Sequence, residues 1–140
     1  MIGLSLSMLK QIKESAAYLV EATNFKSFIG IILGSGLGDF AREIQLDKEI
    51  LYHDIPHFPI SSIEGHKGAI LFGKYNGQPV MIMQGRVHYY EGYSMQQVTY
   101  PIRVMKQMGV HTLLLSNAAG GMNPDFSVGD LMTITDHIHL

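Results

Sequence analysis

Residues 28–38, with the sequence FIGIILGSGLG, decide the fold that the chain adopts. The first six residues are a nearly continuous apolar run, which is typical of a strand buried on both faces of a sheet. Gly34, Gly36 and Gly38 then let the backbone turn sharply and approach a ligand closely. The spacing is GxGxG and not GxGxxG, which disfavours a dinucleotide site. Taken alone, the loop predicts either a tight turn or an anion cradle before a helix.

Alternating helix and strand patterns surround this stretch. Apolar residues recur at helical spacing over residues 5–22, and Asn76-Gly77 between two apolar runs is a type I′ hairpin signal. The other predicted elements are a short helix at 37–44, an edge strand at 50–53, hairpin strands at 69–75 and 79–84, a helix at 95–108 that contains the unfavourable Pro101, a buried strand at 111–116 and a last strand at 130–140. We therefore predict an α/β fold with a mixed, mainly parallel twisted sheet flanked by helices.

Composition excludes several classes of protein. The chain has 140 residues, of which 46% are hydrophobic and 16% are charged, a balance opposite to that of disordered chains. A net charge of -2 excludes a strongly basic nucleic-acid binder. The absence of cysteine excludes a disulfide scaffold, a Cys-ligated zinc site and a Cys nucleophile.

The sequence carries no pattern typical of secretion, membrane insertion or metal binding. Neither a secretory signal nor a long apolar span is visible, so we predict a cytoplasmic protein that contacts no membrane. His137 and His139 share one face of the last predicted strand, but two ligands are too few for a metal site. Asp136 falls on the other, apolar face, where we expect it to satisfy buried loop amides.

The segment QGRVHYYEGY, residues 84–93, follows a second predicted strand. Arg86 can hold a phosphate or carboxylate by two parallel hydrogen bonds. His88 can donate a hydrogen bond to an anion or a hydroxyl. For Tyr89 and Tyr93 we expect packing roles.

Residues 116–121, SNAAGG, follow a third predicted strand and can turn backbone N–H groups, together with Asn117, toward a ligand. In open α/β sheets, ligands bind outside the carboxyl ends of the strands. If the three strands are parallel neighbours, their loops share one rim, which suits a tetrahedral oxyanion such as phosphate. His66, between glycines in the segment 65–68, is a further candidate anion donor.

Five motifs in this order resemble those of the trimeric purine nucleoside phosphorylases. They are IILGSGLG at 31–38, EGHKG at 64–68, QGRVHYYEGY at 84–93, NAAGGMNP at 117–124 with Gly129-Asp130, and DHI at 136–138. The resemblance runs through nearly all of the chain from about residue 25. It implies a nucleoside phosphorylase-like fold, of which residues 1–140 are the N-terminal portion of a single domain.

The resemblance also implies roles for individual residues. Phosphate would be held by Ser35, His66, Arg86, His88 and the backbone of Ala118, with Asn117 shaping that turn, while Tyr90 and His88 would lie against the ribose. Gly34, Gly36, Gly38 and Glu91 would shape the loops. The implied reaction is phosphorolysis of a purine nucleoside in a homotrimer, with inorganic phosphate as co-substrate and no metal or organic cofactor.

Two alternatives stay open. A methylthioadenosine phosphorylase shares the fold and the phosphate site. Members of the family are about twice as long, and their purine-contacting residues lie in the later half, so this chain could instead be a fragment that binds phosphate without catalysis. Nothing follows residues 130–140 to cover the last predicted strand, and we therefore expect the sequence to stop within a domain.

Overall fold

A computed structural model describes residues 5–34, 36–60 and 68–138. Helix α1, Leu6–Thr23, begins at Ser5, whose hydroxyl accepts a hydrogen bond from the N–H of Met8 at 3.1 Å. This cap satisfies one of the amides that a helix start leaves unpaired. The helix predicted at residues 5–22 is confirmed.

Five strands form one mixed sheet. The strands are β1 Ile29–Leu33, β2 Gln45–Leu51, β3 Ala69–Tyr75, β4 Gln78–Gln84 and β5 Thr112–Leu115. Their order in the sheet is β2-β3-β4-β1-β5. Strand β1 pairs in parallel with β4 and β5, whereas β3 pairs antiparallel with β2 and β4. The mixed sheet is confirmed, and its pairings are two parallel and two antiparallel.

The hairpin between β3 and β4 turns at Asn76 and Gly77, whose φ angles of 48° and 77° are both positive, as a type I′ turn requires. Strand β2 lies at one edge of the sheet, as predicted, but begins five residues earlier than position 50. Its first four residues are exposed and include Asp47 and Lys48, so no apolar pattern marks them. Charges of this kind protect a sheet edge from further pairing.

The helix predicted at residues 95–108 is two helices, α2 Met95–Val98 and α3 Tyr100–Gln107. Pro101 lies in the first turn of α3, where its missing N–H costs nothing. Inside a continuous helix it would have left the Gln97 carbonyl without its usual donor. Similarly, the short helix predicted at 37–44 is a 3-10 turn over Gly38–Arg42.

The two faces of the sheet are covered differently. Helices α1 and α3 pack on one face, where Leu19, Val104 and Met105 join Phe72 and Met81 in a buried cluster. The opposite face holds a smaller cluster formed by Leu33, Ile44, Ala69, Leu71, Val80 and Ile82, against which Phe40 and Ala41 of the 3-10 turn pack. The described helices include none long and apolar enough to cross a membrane.

Two expectations for the C-terminal part of the chain are wrong. The strand at 111–116 exists as β5, but it is not buried: Leu114 and Leu115 are exposed, because β5 is an edge strand with β1 as its only described neighbour. Residues 130–138 are exposed and form no strand, since no described strand lies beside them to accept their hydrogen bonds. Asp136 is exposed there, and its carboxylate accepts from the N–H of His137 at 2.8 Å.

Candidate functional site

The candidate site is the rim where β4, β1 and β5 end. These three strands are parallel neighbours, so the loops that begin at Gly34, Gly85 and Ser116 leave the sheet on the same side. The register aligns Leu33 with Gln84, the last residues of β1 and β4. The prediction of one shared rim requires that the three strands be parallel neighbours, and they are.

Ser116 joins the first and third loops. Its hydroxyl accepts from the N–H of Gly34 at 2.9 Å and donates to the Ile32 carbonyl at 3.2 Å. A Cβ at Gly34 would lie 2.5 Å from the Ser116 carbonyl oxygen, so only glycine allows the two loops to approach this closely. Ser116 is not among the site residues predicted from the sequence. The only signal that could have identified it is a small polar residue at a strand end.

Gly36 and Gly38 complete the described part of the first loop. Gly36 has φ 85°, a conformation that side chains with a Cβ rarely adopt. The Gln84 amide lies within 3.5 Å of the Gly38 carbonyl and so connects the loop to the end of β4. Ser35 and His66, two of the predicted phosphate ligands, lie outside the described residues.

The side chain of Arg86 extends from the second loop to the third. Its Nε donates to Nε2 of His88 at 3.2 Å, and its Nη1 lies 3.5 Å from the carbonyl oxygen of Ser116. The guanidinium is thus held over the rim by one group from each loop. A planar fork of N–H donors in this position is suited to bind an oxyanion.

His88 is oriented by Glu91. A short 3-10 turn, Tyr89–Glu91, begins after His88 and ends at Glu91. One carboxylate oxygen of Glu91 accepts from the backbone N–H of His88 and lies 2.8 Å from Nδ1. Since Nε2 accepts from Arg86, the proton of a neutral His88 ring lies on Nδ1 and faces Glu91. The Glu91 side chain is only 3% exposed, which restricts its motion.

The tyrosines of the second loop are arranged differently from each other. The ring of Tyr90 stacks on His88 with centroids 4.8 Å apart and 14° between the planes, while 76% of Tyr90 is exposed. This places a flat, accessible wall beside the imidazole. Tyr93 donates a hydrogen bond from its hydroxyl to the Ile60 carbonyl. The packing role expected for Tyr89 is wrong, because its side chain is exposed on the turn.

The third loop is exposed and carries the two remaining candidates. The Asn117 side-chain amide donates to the Ala118 carbonyl at 3.1 Å, which holds the start of this loop in a local turn. Ala118 has no side chain beyond Cβ to hinder access to its backbone. Both residues follow Ser116, the first residue after β5, and therefore lie on the rim with Arg86.

An open cleft of about 550 Å³ lies beside the first loop. Its lining includes Gly36, Gly38, Arg42, Glu49 and Gln84, and it faces β2 and β3. None of Arg86, His88 and Asn117 lines it. Within the described ranges, no three His, Asp or Glu side chains are grouped closely enough to hold a metal ion.

Residues 28–140 match the family model described as Phosphorylase superfamily. That match covers most of the chain, and the chain belongs to the phosphorylase superfamily. Among its relatives are Purine nucleoside phosphorylase 1 of Bacillus subtilis, 51% identical over 94% of this chain, and purine nucleoside phosphorylase of Mus musculus, 46% identical over 90%. These alignments cover 49% and 44% of the two relatives, so the chain spans about half of their length.

Solved structures of the same kind of enzyme share the fold. Isoform 2 of purine nucleoside phosphorylase from Schistosoma mansoni, crystallised with cytosine and ribose-1-phosphate, superposes with a TM-score of 0.80. It is 45% identical to this chain over 86% of the chain's length, and the match covers 42% of that structure. The sequence resemblance to purine nucleoside phosphorylases is confirmed.

Proposed function

We propose that this chain carries the phosphate and ribose side of a site for phosphorolysis of purine nucleosides. The observation that carries the proposal is the convergence of three loops on one rim, with Arg86 held between His88 and the Ser116 carbonyl. Similarity to purine nucleoside phosphorylases from a bacterium, a mammal and a flatworm supports the same activity.

Phosphate binds on the rim between the three loops. Arg86 holds it through the guanidinium, and His88 and the Asn117–Ala118 turn lie at its sides. Ser35 and His66 supply further donors. Charge-assisted hydrogen bonds of this kind are shorter and stronger than neutral ones. For His88 to donate to phosphate through Nε2, its ring must carry a proton on both nitrogens, with the Nδ1 proton facing Glu91, and Nε2 then no longer accepts from Arg86.

Ribose lies against Tyr90, and His88 is close enough to that ring to contact the sugar as well. The stacked pair offers an apolar surface with polar tips, which matches the mixed character of a ribose ring. In this assignment Tyr90 contacts the nucleoside and not phosphate, whereas His88 contacts both.

In the reaction, a phosphate oxygen forms a bond to the anomeric carbon while the bond from that carbon to the purine nitrogen breaks. The electron pair of that bond leaves with the purine, which takes up a proton, and the products are the free base and ribose 1-phosphate. The transition state resembles an oxocarbenium ion, as in glycoside hydrolysis. Arg86 and the loop donors align the phosphate, whose negative charge stabilises the cation.

We also propose that phosphate itself is the nucleophile, so that no organic cofactor takes part, and that the protein is cytoplasmic. A homotrimer is the assembly that the resemblance implies. Sedimentation equilibrium on the purified chain tests that assembly directly.

The proposal is tested by incubating the purified chain with inosine, with and without phosphate, and measuring hypoxanthine. We expect release that depends on phosphate. A parallel reaction with 5′-methylthioadenosine distinguishes the methylthioadenosine phosphorylase alternative, which predicts faster cleavage of that substrate. Release that is equal without phosphate would contradict phosphorolysis.

A second candidate function is phosphate binding without turnover. It is favoured by one observation, that the chain spans about half the length of its relatives. It predicts a measurable phosphate affinity together with no hypoxanthine release.

A further inference from the structure

Tyr52 is a buried tyrosine whose hydroxyl lies at the base of the rim. The residue follows β2 and is only 2% exposed, yet its hydroxyl donates to the Gly85 carbonyl at 2.6 Å. Gly85 directly precedes Arg86 and has φ 93°. The bond therefore joins residues 33 positions apart, from the start of one loop to the start of another.

The Tyr52 ring is itself held from several sides. Its backbone N–H donates to the Gly68 carbonyl at 2.8 Å, and a Cβ at Gly68 would lie 3.2 Å from the ring. Phe58 packs against it with centroids 5.0 Å apart. A side chain confined in this way presents its hydroxyl at a fixed point, so the Gly85 carbonyl has one favoured orientation.

We propose that Tyr52 is a positioning residue of the phosphate site. Its hydroxyl fixes the Gly85–Arg86 peptide, so that the Arg86 side chain starts from a defined direction and reaches both His88 and the Ser116 carbonyl. Tyr52 touches no substrate and acts through the backbone of Gly85. The inference rests on the proposed function, in which Arg86 binds phosphate.

The test compares Tyr52→Phe with Tyr100→Phe. Tyr100 is a matched control, because it is also buried, its hydroxyl lies 2.7 Å from Ser15 Oγ, and it packs on the same Phe58. Both variants keep the ring, so both are expected to fold. Gly85 is partly exposed, which lets water replace the lost hydroxyl without leaving a buried carbonyl unpaired.

Calorimetric titration with inorganic phosphate gives the first readout. Loss of one positioning hydrogen bond is expected to weaken phosphate binding about tenfold in Tyr52→Phe. In Tyr100→Phe the dissociation constant is expected to stay within about twofold of that of the unsubstituted chain. Equal changes in both variants, or none in Tyr52→Phe, would overturn the positioning role.

The second readout is the ¹H–¹⁵N resonance of Arg86 Nε in the absence of phosphate. We expect it to shift and to exchange faster with water in Tyr52→Phe, and to stay unchanged in Tyr100→Phe. An unchanged Arg86 resonance in Tyr52→Phe would contradict the inference whatever the phosphate data show. If the unsubstituted chain binds no phosphate, the calorimetric comparison does not apply and the proposed function fails, whereas a response of this resonance still shows that Tyr52 positions Arg86.

Discussion

Arg86 is the arginine that the structure brings to the rim. Its described contacts engage Nε and Nη1, and both partners belong to loops that we propose bind phosphate. The other arginines, Arg42 and Arg103, lie on the 3-10 turn and on α3, away from these contacts. Phosphate affinity should therefore depend on one arginine.

We expect Arg86→Ala to raise the phosphate dissociation constant by about 10- to 100-fold, because a hydrogen bond to a charged group contributes about 1.5–3 kcal/mol. Calorimetric titration with phosphate measures the change. Arg103→Ala, which removes the same charge from the exposed surface of α3, is the control and should bind phosphate normally. Unchanged affinity in Arg86→Ala would refute the assignment.

Tyr90→Phe is expected to affect the nucleoside more than phosphate. The substitution keeps the ring that stacks on His88 and removes only the hydroxyl, so the phosphate loops stay in place. Separate titrations with inosine and with phosphate measure the two affinities. Equal losses for both ligands would argue against Tyr90 as a ribose contact.

Long-range pairs limit what the sequence reveals about individual residues. Arg86, His88 and Asn117 could be selected because each follows a predicted strand. Ser116 and Tyr52 could not, because their roles arise from bonds to residues 82 and 33 positions away, and no local pattern encodes those distances. The prediction that Glu91 shapes its loop came from the family resemblance alone.

The junction of β1 and β5 depends on Gly34. The strands are parallel neighbours, and the first residue after β1 lies against the Ser116 backbone. The same junction fixes two of the three rim loops relative to each other. Its packing should therefore be intolerant of a single added methyl group.

Gly34→Ala is expected to lower the free energy of unfolding by about 1–3 kcal/mol, the usual cost of overpacking. The matched control is Gly38→Ala, where the nearest atom lies 4.0 Å from the added Cβ and there is no clash. Urea denaturation measures both. Similar stabilities for the two variants would show that the β1–β5 junction can relax.

Two buried tyrosines of the core, Tyr52 and Tyr100, make the stability of the fold depend on pH in the alkaline range. Burial raises the pKa of Tyr52, and burial likewise raises that of Tyr100. The phenols of the unfolded chain therefore lose their protons at a lower pH than those of the folded chain. Their contribution to the stability of the fold is complete below about pH 10 and declines as pH rises from there toward the folded-state pKa. For Tyr52, which is protonated in the folded chain and ionised in the unfolded chain over this range, the slope is about 1.4 kcal/mol per pH unit.

Urea denaturation between about pH 9 and pH 12 measures this slope. We expect stability to fall less steeply in Tyr52→Phe than in the unsubstituted chain, because the variant has no phenol to ionise there. Identical slopes in the two proteins would mean that Tyr52 ionises in the folded state as readily as in the unfolded one.

Elements with a strong local signal were predicted well from the sequence, and elements that depend on a distant partner were not. Helix α1, strand β1 and the Asn76-Gly77 hairpin follow from periodicity and turn chemistry. Strand β2 was predicted too short because its exposed residues carry charges. The apolar alternation at 130–138 predicted a strand, but a strand also needs a neighbour, which periodicity cannot supply.

The two edges of the sheet differ in charge and in exposed apolar surface. The β2 edge carries Asp47, Lys48 and Glu49, whereas β5 has no charged residue and exposes Leu114 and Leu115. Exposed apolar side chains continue past β5 at Met122, Val128, Leu131, Met132, Ile134 and Ile138. An uncharged, apolar edge favours pairing with another chain.

We expect Leu115→Ser to reduce aggregation at high protein concentration, because Leu115 is 59% exposed on the apolar edge. Leu46→Ser, at a leucine that is 49% exposed on the charged edge, is the control and should change little. Static light scattering over a concentration series measures both. Equal behaviour of the two variants would mean that the β5 edge does not drive aggregation.

We propose that the ends of β1, β4 and β5 form one phosphate site. Titration of the ¹⁵N-labelled chain with inorganic phosphate, followed by NMR, tests whether the three loops respond as one. We expect the amide signals of Gly36, Gly85, Arg86, His88 and Ala118 to shift together with a single dissociation constant. Shifts confined to the cleft beside β2, or loops that respond with unrelated affinities, would contradict it.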